Sequence, residues 1–204
     1  MNHHPVPPES ALPAGLPLEL TAAAEDGAAT LRVAPDGRRR VFVVLDDDPT
    51  GTQSIADFPV LTRWEVEDFA WTFLVGTPAV HVLTNTRSLD PREAAQRNRE
   101  VVRHALAAAS DSPGALHVSF ISRSDSALRE HFPLETDTIG ETLRETGQPV
   151  DGVVLVPGFP EAGRVMIGGT HYVHDSDEGR LVPAAETELA ADASFGYRNS
   201  YLPA

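Results

Sequence analysis

The hydrophobic positions of this chain form short apolar runs, separated by longer stretches in which apolar residues recur every three or four positions. The runs predict four buried strands, at Val41 to Leu45, Ala79 to Leu83, Leu116 to Ser122 and Val153 to Val156. The stretches between them predict helical crossovers. Strands that alternate with helices are typical of an α/β fold with a mainly parallel sheet flanked by helices, in a Rossmann-like three-layer arrangement.

Three of the intervening stretches carry helix signals. The clearest is the sequence DPRE at residues 90–93, which supplies an N-cap, a proline at the first helical position and an acid three residues after the cap. It predicts a helix that ends near Ala109. A short helix is predicted at Trp64 to Phe73, and an amphipathic helix within Leu128 to Thr146, with Pro133 in its first turns.

The two ends of the chain depart from this pattern. Residues 1–39 carry six prolines and scattered alanines, a composition that cannot pack densely, so we expect a loosely ordered arm before a domain at residues 40–204. After Pro157 the helical period fades. The C-terminal part is predicted to be rich in loops, with short strands around Thr170 to Val173 and Leu181 to Val182.

Composition limits the classes of partner. With 204 residues, of which 41% are hydrophobic, the chain can bury one sizeable core. A formal net charge of −14 repels phosphate backbones, so nucleic acid is not an expected partner. No apolar stretch approaches the roughly 20 residues that span a bilayer, and no secretory leader is visible, so we expect a cytoplasmic protein without membrane contact.

The residue types that are missing also limit the chemistry. The chain has no cysteine, which excludes disulfides, thiolate zinc sites and a cysteine nucleophile. All 16 of its basic residues are arginines, so a P-loop lysine and Schiff-base chemistry are excluded as well. An anionic ligand would have to be held by guanidinium groups, backbone amides or helix N-termini.

Four polar segments follow the predicted strands. They are DDDPTG at residues 46–51, TNTRS at 84–88, SRSDSALR at 122–129 and PGFPEAGR at 157–164. Strand-end aspartates and serines are often only turn residues or helix caps. However, the carboxyl ends of parallel strands share one edge of a sheet, where ligands bind, and all four segments are predicted to lie at that edge.

The third segment is suited to binding an anion. It places two guanidiniums, a carboxylate and several hydroxyls just before a predicted helix N-terminus. Arginine offers bidentate geometry for a carboxylate. The rigid turn at 157–164 is expected to place Arg164 at the rim of the same cleft.

Taken together, DDDPTGTQ, LTNTRSL, SRSDSALREH and PGFPEAGR resemble the N-terminal sugar-binding domain of the four-carbon acid sugar kinases, over roughly Val41 to Leu202. Those enzymes phosphorylate threonate, erythronate or 3-oxo-tetronate with ATP. The resemblance implies a small sugar acid as ligand and a separate nucleotide-binding domain outside these residues. ATP and Mg²⁺ are expected only with that domain, so this chain is expected to hold no cofactor and not to be catalytic alone.

The resemblance also implies a set of substrate-binding residues. Asp47 and Asp48 would hold substrate hydroxyls, and Arg123 and Arg129 would be best suited to the carboxylate. The complete set is Asp47, Asp48, Thr50, Arg87, Arg123, Ser124, Asp125, Ser126, Arg129 and Arg164.

Three residues depart from the family pattern. Ala127 and Met166 each stand where the family has a threonine, and Glu130 stands where it has a glycine. A lost hydroxyl removes a hydrogen bond available to a ligand, and a carboxylate beside Arg129 competes with an anionic substrate for the guanidinium.

Two other interpretations remain open. The sequence VVLDDDPTGT also fits a haloacid dehalogenase-like, Mg²⁺-dependent phosphatase with Asp46 as nucleophile and Asp48 as acid/base, although no acidic pair follows a later strand. Alternatively, the chain is a non-catalytic binding module or a decayed kinase fragment. One further set of residues could be taken for a metal site: His171, His174, Asp175 and Asp177. Their spacing fits no standard set of metal ligands, so we expect them to be solvated surface residues.

Overall fold

The fold is described by a computed structural model, which covers residues 26–51, 55–114, 116–125, 128–175 and 179–202. The chain divides into two compact units. Of the described residues, those within 26–124 and 131–153 form the parallel unit, and those within 125–130 and 154–202 form the antiparallel unit. Most of the predicted N-terminal arm, residues 1–25, lies outside the described residues. Residues 26–31 are helical.

The parallel unit contains a four-stranded sheet in which every neighbouring pair is parallel. Its strands are β1 (Arg40–Asp46), β2 (Val60–Leu61), β3 (Ala79–Leu83) and β4 (His117–Arg123), in the order β2-β3-β1-β4. The α/β class and the mainly parallel sheet are therefore confirmed. β2 was not predicted, because two residues are too few to show a pattern.

Three helices accompany this sheet: α1 (Val66–Val75), α2 (Pro91–Ser110) and α3 (Leu134–Glu145). The predicted start of α2 is confirmed, since the side chain of Asp90 accepts hydrogen bonds from the backbone N–H groups of Arg92 and Glu93 at 2.8 and 3.0 Å. These bonds satisfy donors that have no partner within the helix. Pro133 occupies the N-cap of α3, immediately before its first turn.

The hydrophobic core lies between the helices and one face of the sheet. Alternate residues of β1 enter this core, together with residues of β3, β4 and all three helices. Core residues include Val43, Val82, Phe69, Val101 and Ile139. Alternation is expected for strands, in which successive side chains point to opposite faces. The remaining face of β1 carries its final residue, Asp46, to the carboxyl edge.

The predicted strand at Val153 to Val156 is wrong. No strand is assigned at residues 152–158, and Val154 and Val156 are 92% and 80% exposed. A β-branched run forms a strand only if a neighbouring strand pairs with it, and apolar pattern alone does not supply that partner. In the described residues β4 therefore lies at one edge of the sheet.

The antiparallel unit contains a second sheet. Its strands are β5 (Arg164–Ile167), β6 (Thr170–Asp175) and β7 (Arg180–Pro183), in that order. The short strands predicted near 170–173 and 181–182 are confirmed, whereas β5 was not predicted. Gly168 and Gly169 link β5 to β6 with φ values of 58° and 80°, which glycine adopts without the steric penalty of a side chain.

Within the described residues, no helix combines the length and the apolar character that crossing a membrane requires.

Candidate functional site

Two of the four polar segments, at 46–51 and 84–88, and the start of a third, at 122–124, lie at the carboxyl edge of the parallel sheet. Asp46, the last residue of β1, is aligned with Leu83 of β3 and Arg123 of β4. The backbone N–H and the hydroxyl of Thr84 both donate to the carbonyl oxygen of Asp46, at 2.9 and 2.8 Å. Hydrogen bonds to the backbone thus fix the ends of these strands. Five residues at this edge are called the sheet-edge cluster below: Asp46, Asp47, Asp48, Arg87 and Arg123.

Arg87 binds two aspartates of the sheet-edge cluster. Its Nε donates to Oδ2 of Asp47 at 3.0 Å and its Nη2 to Oδ1 at 2.7 Å, a bidentate pair. Its Nη1 donates to Oδ2 of Asp48 at 2.5 Å. Asp47 is 1% exposed and both of its carboxylate oxygens accept from Arg87. Asp47 therefore orients Arg87.

Asp48 is held in its ionised form. Its Oδ1 accepts from the hydroxyl of Thr50 at 2.7 Å and from the backbone N–H of Thr50 at 2.8 Å. These two bonds, together with the charge of Arg87, lower the pKa of Asp48 below its ordinary value. The side chain of Asp48 is 22% exposed, so this carboxylate can still accept hydrogen bonds from a ligand.

Asp46 is fully buried and forms an ion pair with Arg123. Nη1 of Arg123 donates to Oδ1 of Asp46 at 3.2 Å, and Oδ2 of Asp46 has no hydrogen-bond partner in the described residues. Burial raises the pKa of Asp46, and the charge of Arg123 opposes that rise. The side chain of Arg123 is 41% exposed.

Gly51 covers this ion pair at close range. A Cβ atom added to Gly51 would lie 1.8 Å from Nη1 of Arg123 and 2.1 Å from Oδ1 of Asp46. No van der Waals contact is that short, so a side chain at this position would force the pair apart. The position requires glycine because of the close approach of the Asp46 carboxylate and not because of its backbone angles.

Glu135 is a further residue of this edge that the sequence analysis missed. It lies in the first turn of α3 and is 5% exposed, and its carboxylate accepts from the hydroxyls of Thr86 and Ser122. In the sequence it resembles any acid in a first helical turn, where negative charge is common. Only the tertiary contacts distinguish it.

Three further predicted residues, Asp125, Arg129 and Arg164, lie in the antiparallel unit, and we call them the Asp125 cluster. Asp125 accepts from Nε of Arg129 at 2.7 Å and from Nη1 of Arg164. The Asp125 side chain is 13% exposed, whereas that of Arg129 is 43% exposed. Asp125 therefore holds two arginines, and its own oxygens are engaged by them.

The structure corrects two expectations and leaves one residue aside. The segment at 157–164 follows no strand of the parallel sheet; it forms a 3-10 turn, Pro160–Ala162, that leads into β5. His171 is not a solvated surface group: it is 1% exposed, and burial, together with the charge of Arg164, lowers its pKa. Ser126 lies outside the described residues. Ser124 is described and is partly buried.

Metal ligands show no clustering in the described part of the chain. No group of three or more His, Asp or Glu residues there is arranged to hold a metal ion. Asp177, one member of the His171 group discussed above, lies outside the described residues.

Two comparisons with known proteins bear on this site. Residues 42–204 match the family model described as "Sugar-binding N-terminal domain", and this range contains all four polar segments. A D-erythronate kinase from Heliobacterium modesticaldum is 31% identical to this chain over 113 residues. The alignment covers 55% of this chain and 22% of that relative, so most of the relative has no counterpart in the aligned region.

Proposed function

Because this chain belongs to the family of sugar-binding N-terminal domains, we propose that it binds a four-carbon sugar acid as the substrate-binding part of an ATP-dependent kinase. One observation carries the proposal. Arg123 lies at the carboxyl edge of a parallel sheet with its side chain 41% exposed, and in the described residues its hydrogen bond is to Asp46 through Nη1 alone. The other N–H donors of its guanidinium are suited to a ligand carboxylate.

The hydroxyl groups of the ligand would be bound by Asp48. Its lowered pKa keeps it an acceptor at neutral pH, and its side chain is partly exposed. Thr50 and Arg87 fix the position of this carboxylate. Asp47 would act through Arg87, because it is 1% exposed and both of its oxygens accept from that guanidinium.

Phosphoryl transfer would require a nucleotide-binding domain outside the matched region. The chain offers no lysine and no glycine-rich phosphate loop. The named relative is a D-erythronate kinase of which 22% is aligned, which is consistent with a substrate-binding part joined to a larger catalytic whole. ATP and Mg²⁺ would bind with that other domain.

Titration calorimetry tests this proposal. The protein is titrated separately with erythronate, threonate, the neutral polyol erythritol, and ATP. We expect heat of binding with at least one sugar acid and none with erythritol or ATP, because the polyol lacks the carboxylate that Arg123 would bind. Binding of erythritol as tightly as of the acids would remove the carboxylate from the proposal, and an ATP isotherm would contradict the division of roles.

A further inference from the structure

Glu135 is a buried carboxylate with an unusual set of partners. It is 5% exposed, and in the described residues no basic side chain forms an ion pair with it. Its Oε1 accepts from the hydroxyl of Thr86 at 2.5 Å and its Oε2 from the hydroxyl of Ser122 at 3.1 Å. Burying a carboxylate is costly unless it is hydrogen-bonded, so these two bonds are what make the burial tolerable.

The two hydroxyl residues are the chain neighbours of the two sheet-edge arginines. Thr86 directly precedes Arg87, and Ser122 directly precedes Arg123. Thr86 is fully buried, so its hydroxyl has no access to water as an alternative partner. The carboxylate of Glu135 therefore connects the segment after β3 with the end of β4. At each end it is bonded to the residue directly before an arginine, Arg87 or Arg123.

Asp47 joins the same two segments through its backbone. Its N–H donates to the carbonyl oxygen of Arg123 at 3.2 Å, and its carbonyl oxygen accepts from the N–H of Arg87 at 3.2 Å. The spacing of the two arginines is thus set on one side by the backbone of Asp47 and on the other by the side chain of Glu135. Side-chain networks of this kind hold a site rigid when every member has its partner.

We propose that Glu135 is a positioning residue that fixes the spacing of Arg87 and Arg123 for ligand binding, an inference that rests on the proposed function. Glu135 touches no ligand in this role. It acts through Thr86 and Ser122, and its removal frees the two arginine-bearing segments to move relative to each other.

The first test needs no ligand. 1H–15N NMR correlation spectra of the arginine side chains are recorded for the parent protein and for the variants Glu135→Leu and Glu135→Gln. The control variant is Glu141→Gln, which changes an exposed glutamate of the same helix. We expect the Nε–H signal of Arg87, which is bonded to Asp47, to shift or broaden in Glu135→Leu. It should stay near its parent position in Glu135→Gln, whose amide can bond both hydroxyls. Parent-like arginine signals in Glu135→Leu would overturn the proposal.

The second test measures sugar-acid affinity by calorimetry. We expect Glu135→Leu to weaken binding about tenfold or more, Glu135→Gln by less than about threefold, and Glu141→Gln not at all. Equal losses in the Leu and Gln variants would contradict positioning through hydrogen bonds. If the parent binds no sugar acid, the proposed function fails, while the NMR comparison still decides whether Glu135 positions the arginines.

A milder variant covers the case in which Glu135→Leu does not fold. Ser122→Ala removes only the bond to Oε2 of Glu135. We expect it to disturb the Nε–H signal of Arg123 more than that of Arg87, because Ser122 adjoins Arg123. Disturbance of neither signal would count against the proposal.

Discussion

The sheet-edge cluster and the Asp125 cluster use the same two residue types in opposite proportions. At the sheet edge three carboxylates accompany two guanidiniums, whereas in the Asp125 cluster one carboxylate is shared by two guanidiniums. The two guanidiniums offset only part of the negative charge at the sheet edge. The Asp125 cluster retains a surplus of positive charge.

Backbone support also differs between the two regions. The sheet-edge residues end or follow three hydrogen-bonded parallel strands, and two of their carboxylates, Asp46 and Asp47, are essentially inaccessible. In the Asp125 cluster, Arg164 begins a strand, but Asp125 and Arg129 lie in a loop. The sheet-edge cluster therefore has the firmer backbone support, which favours fixed contact geometry.

The largest effect is expected from filling the space above the Asp46–Arg123 pair. Gly51→Ala would place a methyl group against both side chains, so we expect loss of sugar-acid binding and a fall of about 1–3 kcal/mol in the free energy of unfolding, as for overpacked sites. Gly152→Ala is the matched control, since an added Cβ there meets nothing within 4 Å. Chemical denaturation and calorimetry measure both quantities, and parent-like binding by Gly51→Ala would show that this pair does not matter to the ligand.

The next effect separates the two regions directly. Arg123→Lys should weaken sugar-acid binding about tenfold, because a point charge cannot reproduce planar bidentate contacts. Arg129→Lys should weaken binding less, because lysine keeps the positive charge that attracts an anion. Arg144→Lys, an exposed position on α3, serves as control. If Arg129→Lys causes the larger loss in calorimetry, the carboxylate belongs to the Asp125 cluster and our assignment is reversed.

The sequence predicted those features that depend on local signals. The DPRE start of α2, the apolar runs of β1, β3 and β4, and the polar residues that follow them are all visible in short windows. The family resemblance is likewise confirmed, because four separate motifs carry it within the matched range.

Features that depend on distant contacts were not predictable. Thr86 meets Glu135 across 49 positions and Arg123 meets Asp46 across 77, so neither pair leaves a signal in a short window. The predictions of a buried strand at Val153 to Val156 and of an exposed His171 were wrong for the same reason. Burial depends on which elements pack together and not on local polarity.

A smaller effect is expected at Asp48. Asp48→Asn removes a charged acceptor but keeps the shape, so we expect sugar-acid affinity to fall about fivefold. Because the pKa of Asp48 is lowered, the parent's affinity should be unchanged by this group as the pH falls from neutral towards the ordinary value of 3.8. Calorimetry at several pH values checks both statements. A loss of parent affinity well above that pH would show that another group controls binding.

The smallest binding effect is expected for Asp46→Asn, which also decides between sugar binding and phosphatase chemistry. Asparagine keeps the shape and an acceptor for Arg123, so we expect affinity within about threefold of the parent. A phosphatase nucleophile must reach its substrate, whereas Asp46 is fully buried. Mg²⁺-dependent hydrolysis of a phosphate ester by the parent, abolished in Asp46→Asn, would establish the phosphatase interpretation instead.

The stability of the same variant supplies an independent check on the burial of Asp46. A carboxyl whose pKa is raised by folding binds its proton more tightly in the folded state, so the stability of the parent falls as the pH rises from 3.8 through the folded-state pKa. Asparagine does not titrate. The free energy of unfolding of Asp46→Asn relative to the parent should therefore increase over this interval, as measured by urea denaturation. A relative stability that decreases with rising pH would mean that the charge of Arg123, and not burial, dominates the environment of Asp46.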